Sequence, residues 1–263
     1  MNKKDILAIS IATTGVMDNE TGKIMFAPQF KCWDSIPVKK SIEEHFGVPV
    51  IIENDINTAV LGELWYGAGY GYKNLAFVSV DIGIGAGIVI NGKLYEGSHH
   101  AAGEIGYMTV GMDALNEDYG ERGYLESKVS LSAIVEEYKK KVIKKKPNSV
   151  LDFVNGDVNK IDFQTMVKAL NEEDELCISH VKESAKILGL AISNISNILD
   201  LELIIIGGKI TEFGSVFIES LRQVVNRLTP IKPTIIYSDL KGKTGIYGGF
   251  AIALDYVFKD IIN

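Results

Sequence analysis

The sequence predicts an α/β protein, because short apolar strands alternate with amphipathic helices along the chain. Nearly continuous apolar runs, such as Leu75–Val80 and Leu203–Ile206, are typical of strands buried on both faces. A long segment from Leu176 to Leu199 instead places its apolar residues at helical spacing. With 263 residues and 46% hydrophobic content, the chain can bury a sizeable core in one large domain or two small ones.

Two strands and two helices are predicted before Gly67. Asp34, Ser35 and Pro37 carry the cap and early-proline signals of a helix start, and Gly47 carries the signal of a helix end. Glycine at 67 interrupts the pattern and predicts a domain boundary. The predicted elements are a strand at Ile6–Ala12, a helix ending at Phe46, a strand at Val48–Glu53 and a helix from Asp55 to Tyr66.

The rest of the chain is predicted to contain a hairpin followed by alternating helices and strands. Asn91-Gly92 is a strong signal for a type I′ hairpin turn. Residues 111–126 show no clear periodicity and are predicted as a polar loop. The predicted elements are strands at Leu75–Val80, Ala86–Ile90 and Lys93–Glu96, a long helix ending at Leu199, a strand at Leu203–Ile206, a helix at Gly214–Leu228, a strand at Thr234–Tyr237 and a helix from Gly248.

Charge and cysteine content argue against several classes of protein. A net charge of −7 provides no overall electrostatic footprint for nucleic acid, and the basic run at 139–146 is expected to be a solvated helix end. Apolar stretches are shorter than the roughly 18 residues of a membrane-spanning helix. The early apolar run lacks a signal-peptide cleavage site. Cys32 and Cys177 are expected to be reduced core thiols of a cytoplasmic protein.

Asn54 and Asp55 lie where a predicted strand meets a helix. In open α/β sheets ligands collect at the carboxyl ends of strands, so this is a favoured catalytic position. A carboxylate there could accept the proton of a sugar hydroxyl group that attacks a phosphate. The same residue types are also preferred as helix N-caps. Both interpretations stay open at this point.

The glycines of the DIGIGAG segment lie between two predicted strands. Backbone N–H groups of such a turn could cradle a phosphate, although a tight hairpin also needs glycine. The segment lacks the Lys-Ser/Thr of a P-loop and the helix of a dinucleotide fingerprint. A plain turn and a phosphate loop therefore both remain possible interpretations.

Glu104 lies between Gly103 and Gly106, shortly after His99 and His100. Its carboxylate could accept hydrogen bonds from sugar hydroxyl groups. Glu104 and the two histidines are a poor metal set, because adjacent histidines project in different directions. No metal site is expected here.

Taken together, these segments resemble the ROK family of repressors, open reading frames and kinases. The resemblance covers nearly the whole chain and is densest from IIENDINTAVLGELWYGAG through VSVDIGIGAGIVINGKLYEG to AAGEIGYMTVG. It implies the actin-like ATPase (ribonuclease H-like) fold with two lobes. Residues 1–67 would form a truncated N-terminal lobe completed by a C-terminal helix at 248–263, and residues 68–247 would form the larger lobe.

The resemblance also implies roles for individual residues. In kinases of the family the residue that matches Asp55 is the base that activates the sugar hydroxyl group, and those that match Asn54, Glu104 and Glu126 contact the sugar. The LIIIGG segment looks like the nucleotide-side strand and turn of the family. The implied positions of a vestigial nucleotide site are Gly83, Gly85, Gly207 and Gly208.

Three departures from the family pattern concern the two phosphate loops and the P-G turn. The chain enters at what looks like the fourth strand, so the D-x-G-G-T phosphate loop of the kinases is not found in this sequence. The segment VDIGIG aligns with the second phosphate loop of the family, G-T-G-x-G, with Ile82 in the threonine position. Thr14 likewise replaces the proline of the family's P-G turn.

A fourth departure concerns zinc. Family members usually bind zinc through one histidine and three cysteines, and here those positions hold Tyr107, Glu117, Tyr119 and Tyr124. One carboxylate and three phenols are a poor tetrahedral ligand set, so no structural zinc is expected.

The leading hypothesis is a sugar-responsive effector-binding domain of a ROK-type transcriptional regulator, closest to the xylose-repressor branch and without kinase activity or a cofactor. The first alternative is an ATP- and Mg-dependent sugar kinase that is missing its first strands. The second is a degenerate scaffold that binds protein partners. The sequence contains no visible helix-turn-helix, so this chain is expected to bind a small-molecule sugar but neither nucleic acid nor membrane. A homo-oligomer, most simply a dimer, is expected, with the apolar edge of the Ile6–Ala12 strand covered by a partner chain, another segment or a rearrangement.

Overall fold

The computed structural model describes residues 5–18, 23–26, 37–115, 118–144 and 149–261, and these form the predicted α/β protein. The chain divides into two compact units. The first comprises residues 1–77, 86–103 and 238–263, and the second comprises residues 78–85 and 104–237. The lobe bounds expected from the sequence, with the first boundary at Gly67, stay a prediction.

Strands and α-helices are numbered here in chain order. They are β1 (Ile9–Thr13), β2 (Val16–Asp18), β3 (Lys23–Phe26), α1 (Val38–Phe46), β4 (Val50–Asn54), α2 (Asp55–Tyr66), β5 (Leu75–Val80), β6 (Ile84–Ile90), β7 (Lys93–Leu94), α3 (Tyr124–Val129), α4 (Leu131–Lys144), α5 (Val150–Phe153), α6 (Phe163–Asn171), α7 (Glu175–Leu199), β8 (Leu203–Gly207), α8 (Gly214–Leu228), β9 (Thr234–Tyr237) and α9 (Thr244–Tyr256). Short 3-10 turns include Ile105–Tyr107, Met112–Leu115, Gly120–Arg122 and Lys209–Phe213.

The first unit is built on a pair of parallel strands. β1 runs parallel to β4, with Ile9 opposite Val50 and Thr13 opposite Asn54. Val50 and Ile52 are buried, and Ile9 and Ile11 pack against them. Within the described ranges β1 pairs only with β4, so the expectation that its other edge is covered stays a prediction.

Helices α2 and α9 of the first unit pack closely because glycines face each other. A Cβ atom on Gly62 would lie 2.9 Å from the backbone nitrogen of Gly248, and a Cβ atom on Gly248 would overlap the carbonyl oxygen of Thr58. Real Cβ atoms essentially never come so near, so only glycine permits this approach. The contact fixes α2, whose first residues include Asp55.

A five-stranded sheet has the order β7-β6-β5-β8-β9, with β5 and β6 contributing residues to both units. β6 and β7 are antiparallel, whereas β8 and β9 are parallel. Asn91 and Gly92 both have positive φ, 53° and 75°, which confirms the hairpin turn predicted from that dipeptide. Helix α7 buries one face in the second unit, and the absence of a side chain at Gly189 lets it approach Val224 of α8.

Most predicted elements are present, but the bounds of several were wrong. β6 begins at Ile84 rather than at Ala86. The turn before it is short, since the N–H of Asp81 donates to the carbonyl oxygen of Gly83 at 3.0 Å. The segment 111–126 is not a plain loop, since it contains 3-10 turns and the start of α3. A six-residue helix is too short to show periodicity in a sequence. α9 begins at Thr244 rather than Gly248.

Other expectations have mixed outcomes. Cys177 is a buried free thiol, while Cys32, Asp34 and Ser35 lie outside the described residues. The basic run belongs to the end of α4, where Lys139 and Lys140 pair with Glu136 and Glu137 one turn earlier. Residues 145 and 146 lie outside the described ranges. No described helix is long and apolar enough to span a membrane.

Candidate functional site

The junction between β4 and α2 is held together by the side chain of Asn54. Its Oδ1 atom accepts the N–H groups of Ile56 at 2.8 Å and Asn57 at 3.1 Å, so Asn54 is the N-cap of α2. Its Nδ2 atom donates to the carbonyl oxygen of Gly15 at 3.0 Å. The N-cap interpretation of Asn54 is therefore correct, and its polar atoms hold the strand–helix turn in place.

Asp55 is the first residue of α2 and is exposed to solvent. Although its surface is open, enough protein surrounds the carboxyl group that desolvation raises its pKa, against the lowering effect of the N–H groups of Ile56 and Asp55. The helix N-terminus favours the ionised form at the same time. Asp55 thus combines an accessible carboxylate with a raised pKa, and a general base that works near neutral pH needs both.

A buried carboxylate behind this junction, Glu53, was not singled out from the sequence. Glu53 is 9% exposed, and its Oε1 atom accepts from the backbone N–H of Asn54 at 2.8 Å and from Nδ2 of Asn57 at 3.0 Å. Because buried polar groups are costly unless they are hydrogen-bonded, this network restricts the turn that presents Asp55. The signal available in the sequence was a carboxylate inside an otherwise apolar strand.

A second buried carboxylate of the first unit lies at the far end of α2. Glu63 accepts from the backbone N–H of Ala68 at 3.0 Å and from the hydroxyl group of Ser238. Desolvation raises its pKa, and nearby Asp239 adds to the shift. Glu63 therefore fixes the turn that follows α2 and takes a structural role in the described chain.

The glycine-rich turn before β6 belongs to the second unit up to Gly85. Ile82, which stands at the position where the family has threonine, is 76% exposed. The N–H of Asp81 donates within the turn to Gly83, and the N–H of Ile84 donates to Oε2 of Glu126 at 3.0 Å. Gly83 and Gly85 have no positive φ, so neither needs glycine for its backbone conformation.

Glu126 is half-buried on α3 and joins that helix to the turn. Burial raises the pKa of its carboxyl group, while the bond from Ile84 and the charge of Arg122 act in the opposite direction. A Cβ atom on Gly106 would lie 3.4 Å from Oε2 of Glu126, so the backbone at Gly106 also packs close to this carboxylate. One oxygen of Glu126 is thus engaged with main chain.

Glu104 is exposed and precedes the 3-10 turn Ile105–Tyr107, which its side chain does not cap. Gly103 before it has φ of 91°, a conformation that favours glycine. His100 lies 3.5 Å from Glu96. Within the described residues no group of three His, Cys, Asp or Glu side chains is arranged to hold a metal ion.

Gly207 and Gly208 end β8 and start the next turn. Gly208 has φ of 84°, and a Cβ atom on it would overlap the carbonyl oxygen of Val80 at the end of β5. Gly208 is therefore required by backbone packing, independently of any nucleotide.

Three of the four positions that hold zinc ligands in the family, Tyr107, Tyr119 and Tyr124, are among the described residues. The fourth, Glu117, lies outside them. Tyr119 and Tyr124 pack edge to face with ring centroids 5.1 Å apart, and the hydroxyl group of Tyr124 donates to Asp113 at 2.7 Å. Tyr107 is exposed. Packed phenols are a poor match for the nitrogen and sulfur ligands that zinc prefers, and the absence of zinc stays a prediction.

The structure places the sequence-predicted residues in two sets. Asn54 and Asp55 lie in the first unit, with the backing network of Glu53. Glu104 and Glu126 lie in the second, where Glu126 is joined to the glycine-rich turn. Of these four predicted residues, Asp55 in the first unit and Glu104 in the second are exposed carboxylates.

Comparison with known proteins adds three findings. A model of the ROK family matches residues 1–256. The xylose repressor of Caldicellulosiruptor bescii is 32% identical over 255 residues, which cover 95% of this chain and 63% of the repressor. A glucokinase of Halalkalibacterium halodurans is 34% identical over 226 residues, which cover 84% of this chain and 67% of that enzyme. The chain therefore spans less than two thirds of the repressor's length.

Among solved structures, a ROK family glucokinase from Streptomyces griseus in complex with glucose and AMPPNP superimposes with a TM-score of 0.84. The two chains are 27% identical, and the match covers 95% of this chain and 82% of that one. This similarity confirms the actin-like ATPase fold that the sequence resemblance implied.

Proposed function

This chain belongs to the ROK family, and on that premise we propose that it is the sugar-responsive effector-binding domain of a transcriptional regulator, without kinase activity. The family relatives include both repressors and glucokinases, so the family alone does not choose between these activities. The choice rests on how this chain uses its glycine-rich turn.

The observation that supports the proposal is that the turn is bonded internally. A phosphate loop offers several backbone N–H groups to an anion. Here the N–H of Ile84 is taken by the carboxylate of Glu126, and the N–H of Asp81 by Gly83. A carboxylate 3.0 Å from the turn also repels a phosphate group, and the exposed Ile82 side chain offers it no hydrogen bond.

The sugar-side groups support ligand binding more than catalysis. Asp55 and Glu104 are exposed carboxylates, each at the start of a helical turn, and such groups accept hydrogen bonds from sugar hydroxyl groups. The second oxygen of Glu126 could do the same. The Streptomyces griseus relative is described in complex with glucose, which makes a hexose or pentose the ligand class to test first.

The kinase alternative is favoured by one observation, the raised pKa of the accessible Asp55 carboxyl group. A base with that property could take the proton of a sugar hydroxyl group during phosphoryl transfer, with ATP and Mg²⁺ supplying the phosphoryl group. Under this alternative the D-x-G-G-T phosphate loop of the family would lie on a segment that is not in this sequence.

Calorimetric titration with xylose, glucose and N-acetylated hexosamines tests the proposal. One of these sugars is expected to bind, and Asp55→Asn or Glu104→Gln should weaken it by about tenfold or more, because each removes a charged hydrogen-bond acceptor. Glu172→Gln is the matched control, since it neutralises an exposed carboxylate at the end of α6. If no sugar binds to the wild-type protein, the proposal is wrong and the scaffold hypothesis gains.

A coupled assay for ADP formation separates regulator from kinase. We expect no sugar-dependent ATP turnover in the presence of Mg²⁺. Turnover by the wild-type protein that disappears in Asp55→Asn would establish the kinase alternative instead. Homo-oligomerisation and a cytoplasmic location stay predictions, and light scattering during size-exclusion chromatography checks the first.

A further inference from the structure

Four side chains in the second unit form a compact cluster around the start and end of α3. They are Asp113, Tyr119, Tyr124 and Lys128, and we refer to them as the α3 clamp. Tyr124 and Lys128 are one helical turn apart on α3, whereas Asp113 and Tyr119 come from the preceding segment. None of these residues is assigned a part in ligand binding by the proposed function.

The carboxylate of Asp113 is the centre of the clamp. Its Oδ1 atom accepts the hydroxyl hydrogen of Tyr124 at 2.7 Å, and its Oδ2 atom lies 3.0 Å from Nζ of Lys128. Burial and the bond to Asp113 raise the pKa of Tyr124 to about 12, so its hydroxyl group remains a donor at neutral pH. One carboxylate thus bonds both ends of a single helical turn.

The two tyrosine rings complete the clamp around the ammonium group. Nζ of Lys128 lies 5.6 Å from the ring centroid of Tyr119 and 5.2 Å from that of Tyr124. The rings pack edge to face on each other. Cation–π contacts at this range add to the ion pair, which distinguishes the cluster from an ordinary surface pair.

One glycine lets the backbone approach the clamp, and another fixes the start of α3. A Cβ atom on Gly111 would lie 2.6 Å from the hydroxyl oxygen of Tyr124 and closer still to Asp113. Gly123, the N-cap of α3, has φ of 71°, and a Cβ atom there would lie 2.6 Å from the carbonyl oxygen of Gly106. Gly111 therefore brings the loop against the clamp, and Gly123 brings the start of α3 against the backbone of Gly106.

The clamp acts on Glu126, which lies between Tyr124 and Lys128 in sequence. A helix of six residues is not stable without tertiary contacts, so α3 depends on the packing of its buried Leu125 and Val129 and on the clamp that holds its two ends. Glu126 projects from this helix and accepts the N–H of Ile84 at 3.0 Å. Loosening either end of α3 would move the carboxylate away from the turn.

We propose that the α3 clamp is a metal-free positioning device that holds the Glu126 carboxylate on the glycine-rich turn and so prepares the ligand site. This proposal rests on the proposed function insofar as Glu126 contacts sugar. Its direct consequence, the bond between Glu126 and Ile84, exists with or without a ligand. Asp113, Tyr124 and Lys128 are positioning residues.

Amide hydrogen exchange tests the proposal without a ligand. In Asp113→Asn and Lys128→Met the N–H of Ile84 should exchange at least about threefold faster, because its acceptor is held less firmly. Ile205 in the buried β8 strand should be unchanged in both variants. Lys160→Met is the matched control, since Lys160 forms an exposed ion pair with Asp157 at 3.9 Å in another segment of the second unit. Unchanged exchange at Ile84 in both clamp variants would overturn the proposal.

Ligand affinity then tests the link to the site. If a sugar binds, Asp113→Asn should weaken it about threefold in the wild-type background and have no further effect in Glu126→Ala, because that variant removes the side chain through which the clamp acts. Lys128→Arg should retain both affinity and slow exchange. Additive effects of Asp113→Asn and Glu126→Ala would show a merely general loss of stability and contradict the proposal. If no sugar binds at all, the proposed function fails while exchange at Ile84 still decides the clamp.

Discussion

The β4–α2 junction and the glycine-rich turn use their polar groups in opposite ways. At the junction, the side chain of Glu53 accepts the backbone N–H of Asn54, and the side chain of Asn54 accepts the backbone N–H of Ile56. The carboxylate of Asp55 is exposed. At the turn, the backbone N–H of Ile84 is consumed by Glu126, and an apolar Ile82 side chain is exposed. The first region thus presents an exposed hydrogen-bond acceptor that suits hydroxyl groups. In the second region, one backbone N–H group that an anion would need is already bonded to a carboxylate.

The comparison also shows that neighbours in sequence take different parts. Asn54 caps α2 with its amide oxygen, whereas Asp55, the first helical residue, presents an exposed carboxylate. The two predicted sugar-binding carboxylates of the second unit differ in the same way. Glu126 is hydrogen-bonded to the glycine-rich turn, whereas Glu104 does not cap the 3-10 turn that follows it. A motif therefore supplies both the scaffold and the groups that a ligand can reach.

The largest effect should come from testing whether the turn after β8 is structural. Gly208→Ala places a Cβ atom against the carbonyl oxygen of Val80 and forces a backbone conformation that alanine avoids. We expect a loss of about 3–5 kcal/mol in the free energy of unfolding, measured by urea denaturation.

Gly71→Ala is the matched control for that loss. Gly71 also has positive φ, 87°, but a Cβ atom there would meet no atom within 4 Å. Its cost should be only the backbone strain, about 1–2 kcal/mol. Equal losses in the two variants would mean that the contact with Val80 does not contribute to the free energy of unfolding. That result would favour the vestigial nucleotide role of Gly208 instead.

The second largest effect concerns the junction. Asn54→Ala removes the acceptor for two helix N–H groups and the donor to Gly15, and should cost about 1–2 kcal/mol of stability. Asn54→Asp keeps the acceptor and should cost less. Thermal denaturation of both variants checks the order, and an Asn54→Ala variant as stable as the wild type would show that Asn54 is not an effective cap.

The sequence predicted the elements of the fold more fully than the contacts around the candidate site, for physical reasons. Helix α2 and strands β5 and β9 were predicted with their observed bounds because apolar periodicity and glycine signals are local. The bond between Glu126 and Ile84 joins residues 42 positions apart, and no local pattern reports such a contact. The α3 clamp was missed for the same reason, since Asp113 looks like one more loop carboxylate. For Glu53, the sequence showed only a charged residue within an apolar strand.

A smaller effect is expected from pH at the turn. Burial raises the pKa of Glu126 above its usual value of 4.5, so the carboxyl group ionises at lower pH in the unfolded chain than in the folded protein. Its contribution to stability is present below about pH 4.5 and is lost as the pH rises through the folded-state pKa. Glu126→Gln cannot ionise but can still accept from Ile84.

The unfolding free energy of Glu126→Gln should therefore improve relative to the wild type between pH 4 and 7. The gain should not exceed about 1 kcal/mol, because the group is half exposed and solvent screens it. Urea denaturation at several pH values measures it. A difference that stays constant with pH would contradict the assigned direction of the shift.

The smallest effect should come from Ile82→Thr, which restores the hydroxyl group at the family's threonine position. Ile82 is 76% exposed, so stability should change by less than about 0.5 kcal/mol. Nucleotide binding should not appear either, because the N–H of Ile84 remains bonded to Glu126 and the carboxylate still repels phosphate. Titration with AMPPNP and Mg²⁺ checks this. If Ile82→Thr binds AMPPNP, the turn can bind phosphate once the hydroxyl group is present. The difference between the two regions would then be due to the Ile82 side chain alone.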